Sequence, residues 1–187
     1  MRRIFLAACL AAAACTSDDT AIRTSTSELS AVPVDIDRYM GKWYEVARYP
    51  NRFEDGCVGV TAEYERVSKA RIKVTNTCRE GSLAGPVEVA DGRARVVGEG
   101  KLDVSFLPGG LSFLDGVASG GYWVIWLDPD YRMAVVVSPG FDFGWILARQ
   151  PQPEPALIEA AKAALTANDY NLDALIWVEQ GPNQATE

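Results

Sequence analysis

Histidine is absent from this 187-residue chain, and that absence limits the chemistry its side chains can perform. Ser-His-Asp and Cys-His catalysis both need an imidazole as general base, and imidazole is also the commonest zinc ligand. The remaining nucleophile candidates are four cysteines, Cys9, Cys15, Cys57 and Cys78, none of them in CxxC spacing. A second chemically dense stretch is GKWYEVARYPNRFEDG, residues 41–56, where a Trp, two Tyr and a Phe alternate with Lys, Glu and Arg. Such a stretch is either a strand whose two faces meet different surroundings or a segment of an active site.

The cysteines divide by position. Residues 1–20 read MRRIFLAACLAAAACTSDDT, with Arg2 and Arg3 ahead of an apolar run from Ile4 to Ala14. A run that short cannot span a bilayer, which takes about 20 residues, but it suits the core of a signal peptide. Small residues lead into Cys15 and polar ones follow, so the segment resembles a bacterial lipoprotein signal in which Cys15 becomes the lipidated N-terminus. Residues 1–14 are then a cleaved leader, and acylation of Cys15, palmitate-type, anchors the chain. Ordinary cleavage within Ala11–Ala14, giving a secreted or soluble periplasmic protein, is the alternative.

Export places Cys57 and Cys78 in an oxidising compartment as an even pair. Between them, VGVTAEYERVSKARIKVTNT alternates as two β-runs around Ser68-Lys69-Ala70. A hairpin folded there brings the two cysteines together at its open end, and a disulfide is expected. A reactive thiol pair is the rival reading, with neither His nor CxxC to support it.

The chain carries 18 basic and 25 acidic residues, a formal charge of −7 that loss of Arg2 and Arg3 with the leader takes to −9. No basic face is on offer for phosphate contacts, so nucleic acid is not the expected partner. Composition, 48% hydrophobic and 23% charged, fits one globular domain.

The elements that must position these residues are mostly strands. Residues 15–33 are rich in Ser, Thr and Asp and read as a solvated tether. Runs of β-branched and aromatic residues follow at 42–49, 58–67, 71–78, 86–98, 100–107, 121–128, 133–138 and 143–149. Turn signals such as Asp55-Gly56, Gly109-Gly110 and Pro139-Gly140 separate them. Eight runs with no helix between them predict an antiparallel barrel or sandwich rather than a parallel sheet. One helix is predicted in PEPALIEAAKAALTAND, where Pro155 suits the N-terminus and Leu157, Ile158, Ala161 and Leu165 recur at helical spacing. A short final strand is expected over Asn171 to Val178, and residues 181–187 read as a tail.

Three motifs in register resemble those of the lipocalins. Gly41-Lys42-Trp43 looks like the Gly-x-Trp signature of an opening strand. Asp128-Pro129-Asp130-Tyr131 looks like the second signature, at a turn between the sixth and seventh strands. Gly144 to Arg149 looks like the third, with its late Arg. The match runs from about residue 36 to 180 and is closest to bacterial outer-membrane lipoprotein lipocalins and their apolipoprotein D-like relatives. It implies an all-β fold over residues 34–180: an eight-stranded antiparallel up-and-down β-barrel with one C-terminal helix packed outside and a short final strand. Gly41, Trp43, Asp130, Tyr131 and Arg149 become structural residues, with Trp43 and Arg149 meeting as an indole–guanidinium plug at the closed end. On that reading residues 41–56 open with a strand, not an active site.

The resemblance also implies a cavity, with Tyr64, Asn76, Phe106, Tyr122 and Trp145 as ligand-binding wall and Leu102, Val104 and Val124 adding apolar surface. The plainer reading is that these side chains fill a small barrel core. Trp126 has the parity of Tyr122 and would shorten the cavity from below, unless a bulge reverses the parity and turns it outward. No cofactor and no metal are implied. The expected function is non-enzymatic binding and transport or storage of a fatty acid, lysophospholipid or similar amphiphile by a protein lipid-anchored to the outer membrane and facing the periplasm. A lipid isomerase in the same barrel would need a reactive Cys57 or Cys78, and a tethered interaction module would have a filled barrel.

Overall fold

The computed structural model describes residues 21–25, 27–106, 120–140 and 143–182. The leader 1–14, Cys15 and residues 183–187 of the tail lie outside the described residues. Eight strands run β1 (Gly41–Arg48), β2 (Cys57–Ser68), β3 (Arg71–Glu80), β4 (Val87–Gly98), β5 (Lys101–Ser105), β6 (Gly120–Leu127), β7 (Met133–Val137) and β8 (Gly144–Ala148). Each pairs antiparallel with the next, and β1 pairs with both β8 and β2, which closes the barrel. Closure removes the free sheet edges that a chain of this many strands would otherwise expose.

Alternation sorts the side chains into two layers. Trp43, Tyr64, Ile72, Val74, Ala94, Leu102, Tyr122, Val124, Ala134, Val136 and Leu147 pack inside the barrel. The opposite parity of β1, β6, β7 and β8 forms a second buried cluster under α2 (Pro155–Ala167). Strand β7, MAVVV, is buried on both faces, which is why it is apolar throughout instead of alternating. Pro155 starts α2, and Ala161 and Leu165 are the helix residues it buries, with Leu157 and Ile158 half-buried beside them.

Three expectations need correction. The described residues of the 15–33 segment do not form a wholly solvated tether: Ile22, Leu29 and Val32 are apolar side chains that pack onto the barrel, and Leu29 is buried. Val32 N–H donates to Val124 O at 2.8 Å, and Gly100 (φ +63°) admits this segment because a Cβ there would lie 2.0 Å from Val32 O. The last strand is only β9 (Ile176–Trp177), since a 3-10 turn takes up Leu172–Ala174. It pairs with β1 where β1 and β2 diverge, and Gln180 Nε2 fills the remaining gap by donating to both Glu45 O and Val60 O. Finally, a bulge between Val124 and Trp126 reverses the parity of β6, so Trp126 packs on the outer cluster beneath α2 and not in the barrel.

One end of the barrel is sealed. Helix α1 (Ile36–Tyr39), capped by Asp35, carries Tyr39 across the opening. Arg149 Cζ lies 3.9 Å from the Trp43 ring centroid, while its Nη1 donates to Lys42 O and its Nη2 to Arg38 O, each at 2.8 Å. Gly41 adopts φ +92°, a conformation that disfavours a side chain, directly against Arg149 Nη1. Tyr131, at φ +61°, accepts from Asp35 N–H and stacks under Arg38. The buried Asp128 carboxylate holds the adjoining turn through Asp130 N–H and the Arg132 backbone and guanidinium. That network holds its pKa below the usual carboxylate range, with the Arg132 hydrogen bond the largest cause.

Candidate ligand-binding site

The other end of the barrel opens into a cavity of about 770 Å³, within the usual range for small-molecule sites. Tyr64, Asn76, Phe106, Tyr122 and Trp145 all border it, brought together from β2, β3, the end of β5, β6 and β8. Register explains the convergence. Tyr64 stands opposite Val74, Asn76 opposite Ala62, and Trp145 opposite Arg48, so each pair shares the inner face. Val60, Ala62, Val74, Val104 and Leu147 supply apolar wall between them. Leu102 and Val124 pack in the barrel interior and do not border the cavity.

Depth separates the five. Tyr64 and Tyr122 are buried, and their hydroxyls join that of Tyr39 in one network: Tyr64 donates to Tyr122 at 3.0 Å, and Tyr39 and Tyr122 are 2.7 Å apart. Burial pushes the Tyr64 phenol up to about 12 and raises those of Tyr39 and Tyr122 as well. The cavity therefore ends on neutral hydroxyls. Phe106, 45% exposed, stands at the mouth instead of in mid-wall, over Gly92, where a Cβ would come within 2.7 Å of its ring. Phe143 stacks on Trp145 and meets the exposed Phe53, extending an aromatic lip outward.

Sequence reasoning missed an acidic group in the upper wall. A bulge between Glu45 and Ala47 turns Arg48 to the inner face beside Glu45, where simple alternation would have placed Tyr49. Arg48 Nη1 donates to Glu45 Oε1 at 2.9 Å, and its Nη2 donates to the carbonyls of Glu54 and Cys57. Glu54 Oε2 accepts from Trp145 Nε1 at 3.1 Å and from Asn51 Nδ2. Glu45, Asn51 and Glu54 all border the cavity. Burial, and then the neighbouring Glu54 charge, push the Glu45 carboxyl well above the usual carboxylate range despite Arg48. The available signal was the spacing of Glu45, Arg48 and Glu54 in a segment otherwise apolar, but the bulge that unites them leaves no mark in the pattern.

Cys57 and Cys78 form a disulfide with Cα atoms 5.5 Å apart, joining the ends of β2 and β3 at the cavity mouth. Gly59, at φ +57°, accommodates the register shift between Val58 and Thr61 that sets the two cysteines in reach. Neither sulfur is then a free thiol, which leaves the isomerase reading without its nucleophile.

The family model described as a lipocalin-like domain matches residues 34–180. Outer membrane lipoprotein Blc of Escherichia coli K12 is 35% identical over 149 residues, 78% of this chain and 79% of its own. Apolipoprotein D of Mus musculus is 30% identical over 156 residues, 78% of this chain and 77% of its own. Insecticyanin from the tobacco hornworm Manduca sexta superposes with a TM-score of 0.62 at 17% identity, covering 88% of each chain. With its closed barrel, outer helix, plugged floor and open cavity, the chain belongs to the lipocalin family.

Proposed function

We propose that this lipocalin carries or stores a single-chain amphiphile, of the fatty acid or lysophospholipid class, with the acyl chain in the barrel and the head near the mouth. The observation that carries the reading is a cavity of about 770 Å³ whose wall is mainly apolar, with the Glu45–Glu54 pair in its upper part, and whose floor is sealed. Each buried CH₂ contributes about 0.8 kcal/mol, so eight to ten of them supply about 6–8 kcal/mol before ordering costs. Micromolar affinity corresponds to about 8 kcal/mol, which leaves little for the head group to add. Tyr64, Asn76, Phe106, Tyr122 and Trp145 are the contact residues of this proposal.

Acylation of Cys15 would tether the barrel to the outer membrane on its periplasmic side, through the linker that precedes Ile22. The relatives named as outer membrane lipoproteins support an envelope location. Protein purified without detergent and extracted with organic solvent should release a single-chain lipid at near-stoichiometric amount by mass spectrometry. An extract without lipid, from protein that also binds none when it is offered, refutes the carrier reading. Intact-mass measurement of membrane-fractionated protein should show acyl chains on Cys15, lost in Cys15→Ser; an unmodified N-terminus refutes the anchor.

A further inference from the structure

We propose that the cavity takes a single-chain amphiphile with a carbonyl oxygen near its distal end, of the keto fatty acid class, and that this oxygen accepts from the Tyr122 hydroxyl at the floor. The inference rests on the carrier reading above and names the chain chemistry that this reading leaves open.

The floor holds one proton more than it can place. The hydroxyls of Tyr39, Tyr64 and Tyr122 carry three protons but share two contacts, Tyr64 to Tyr122 at 3.0 Å and Tyr39 with Tyr122 at 2.7 Å. Among the described residues no other hydrogen bond reaches any of the three oxygens. The proton left over is not that of Tyr64, which donates to Tyr122. Nor is it that of Tyr39, which belongs to the sealed end: it is 1% exposed, does not border the cavity, and packs its ring 4.7 Å from that of Trp43. Tyr122 is the one acceptor within its reach, and a buried donor without a partner is costly. Tyr122 then accepts twice, which fills both lone pairs of its oxygen, and the proton without an acceptor is its own.

That proton is open to a ligand. Tyr122 borders the cavity and is 8% exposed, and inside a closed barrel with a sealed floor this remaining surface is cavity surface. The side chains packed with it, Val74, Val104 and Leu147 among them, offer no acceptor. Burial raises the Tyr122 phenol, so the proton stays in place at neutral pH. A tail that ends in a methyl group strands this donor in apolar surroundings, where an unmade hydrogen bond costs most. A carbonyl oxygen brings acceptor lone pairs and no proton, which is what the floor lacks. A hydroxyl in the same place would bring a further proton to an oxygen whose lone pairs are already taken.

The test is calorimetric titration of delipidated protein with two fatty-acid series of increasing length, unsubstituted and (ω−1)-oxo. Short oxo acids leave their carbonyl against apolar wall and should bind more weakly than unsubstituted acids of equal length. Once the chain reaches the floor, the oxo-to-unsubstituted affinity ratio should climb at least about tenfold, the scale of one buried donor regaining its acceptor. At that length the (ω−1)-hydroxy acid should bind more weakly than the oxo acid, and Tyr122→Phe should abolish the climb. The inference is overturned, and the carrier reading stands, if unsubstituted acids bind while the ratio stays flat or falls with length. A hydroxy acid that binds best, or a climb that survives in Tyr122→Phe, overturns it equally. If no acid of either series binds, the carrier reading fails and takes the inference with it. Should Tyr122→Phe fail to fold, the length dependence on the wild-type protein decides alone.

Discussion

Arg149→Met tests how the barrel floor is held. Methionine keeps an unbranched apolar stem of similar reach and removes the guanidinium, so the change isolates what the charged fork contributes. Three interactions go with it: the contact with Trp43 at 3.9 Å and the two bonds to Lys42 O and Arg38 O at 2.8 Å. The guanidinium is half-buried, and burial lowers its pKa, so the Trp43 contact lies in the partly desolvated range, about 1–2 kcal/mol. The two carbonyl bonds sit at the exposed edge and are discounted to about 1 kcal/mol each. The expected loss is about 3 kcal/mol, a fall in Tm of about 6–12 °C for a domain of this size. Urea unfolding followed by tryptophan fluorescence and circular dichroism measures it, with the slope unchanged between proteins. Arg149→Lys should fall between, since it keeps a cation over the indole but cannot reach both carbonyls. In a double-mutant cycle with Trp43→Leu, coupling of at least about 1 kcal/mol is expected. A loss below about 1 kcal/mol for Arg149→Met, or no coupling to Trp43, would falsify the plug.

Other consequences follow from the same packing. Cys57→Ser with Cys78→Ser should lower stability by about 3 kcal/mol, because the bridge closes a loop of sequence separation 21; an unchanged urea midpoint after reduction refutes this. Trp126→Ala should cost about 2–3 kcal/mol by opening a gap beneath α2, yet leave the longest chain the cavity accepts unchanged; a longer limit would put Trp126 inside. Stability should decline at both pH extremes. The depressed Asp128 pKa contributes stability above the ordinary carboxylate range that is lost as pH falls through its folded value, so Asp128→Asn should flatten that acid limb. The raised Tyr64 phenol contributes stability that is lost as pH climbs from about 10, the free phenol value, through about 12, and urea midpoints against pH should show Tyr64→Phe losing part of that alkaline decline.

The barrel was legible in the sequence because it obeys local rules. Each of the eight runs became a strand within a few residues of its expected ends, since β-branched and aromatic alternation bounded by Gly and Pro turns needs no tertiary information. The contact of Trp43 with Arg149 was implied by the resemblance to the lipocalins and is present at 3.9 Å. What resisted reading depends on bulges and short caps. Parity counted through β6 places Trp126 inside, and one extra residue at Ile125 turns it out. The same device in β1 turns Arg48 inward, which is why the Glu45–Arg48–Glu54 group was not foreseen. Helix α1 has four residues, too few for a period, so Tyr39 and its hydroxyl network were invisible although Asp35 is a good N-cap. Leu29 was overlooked because single apolar residues in a polar stretch resemble a linker until a groove is found for them.

The central claim is that one apolar chain enters the mouth and runs down to the Tyr64–Tyr122 floor. It is tested most directly by titrating delipidated protein with a series of primary alcohols of increasing length, whose neutral heads leave the acidic wall out of the comparison. Affinity should rise by about fourfold per added CH₂, the increment that about 0.8 kcal/mol represents, and then level off once the tail meets the floor. Leu147→Glu, which sets a charge on the wall that Leu147 lines, should lower affinity at every length. No binding at any length, or affinity that does not change with length, would mean that no chain occupies the barrel.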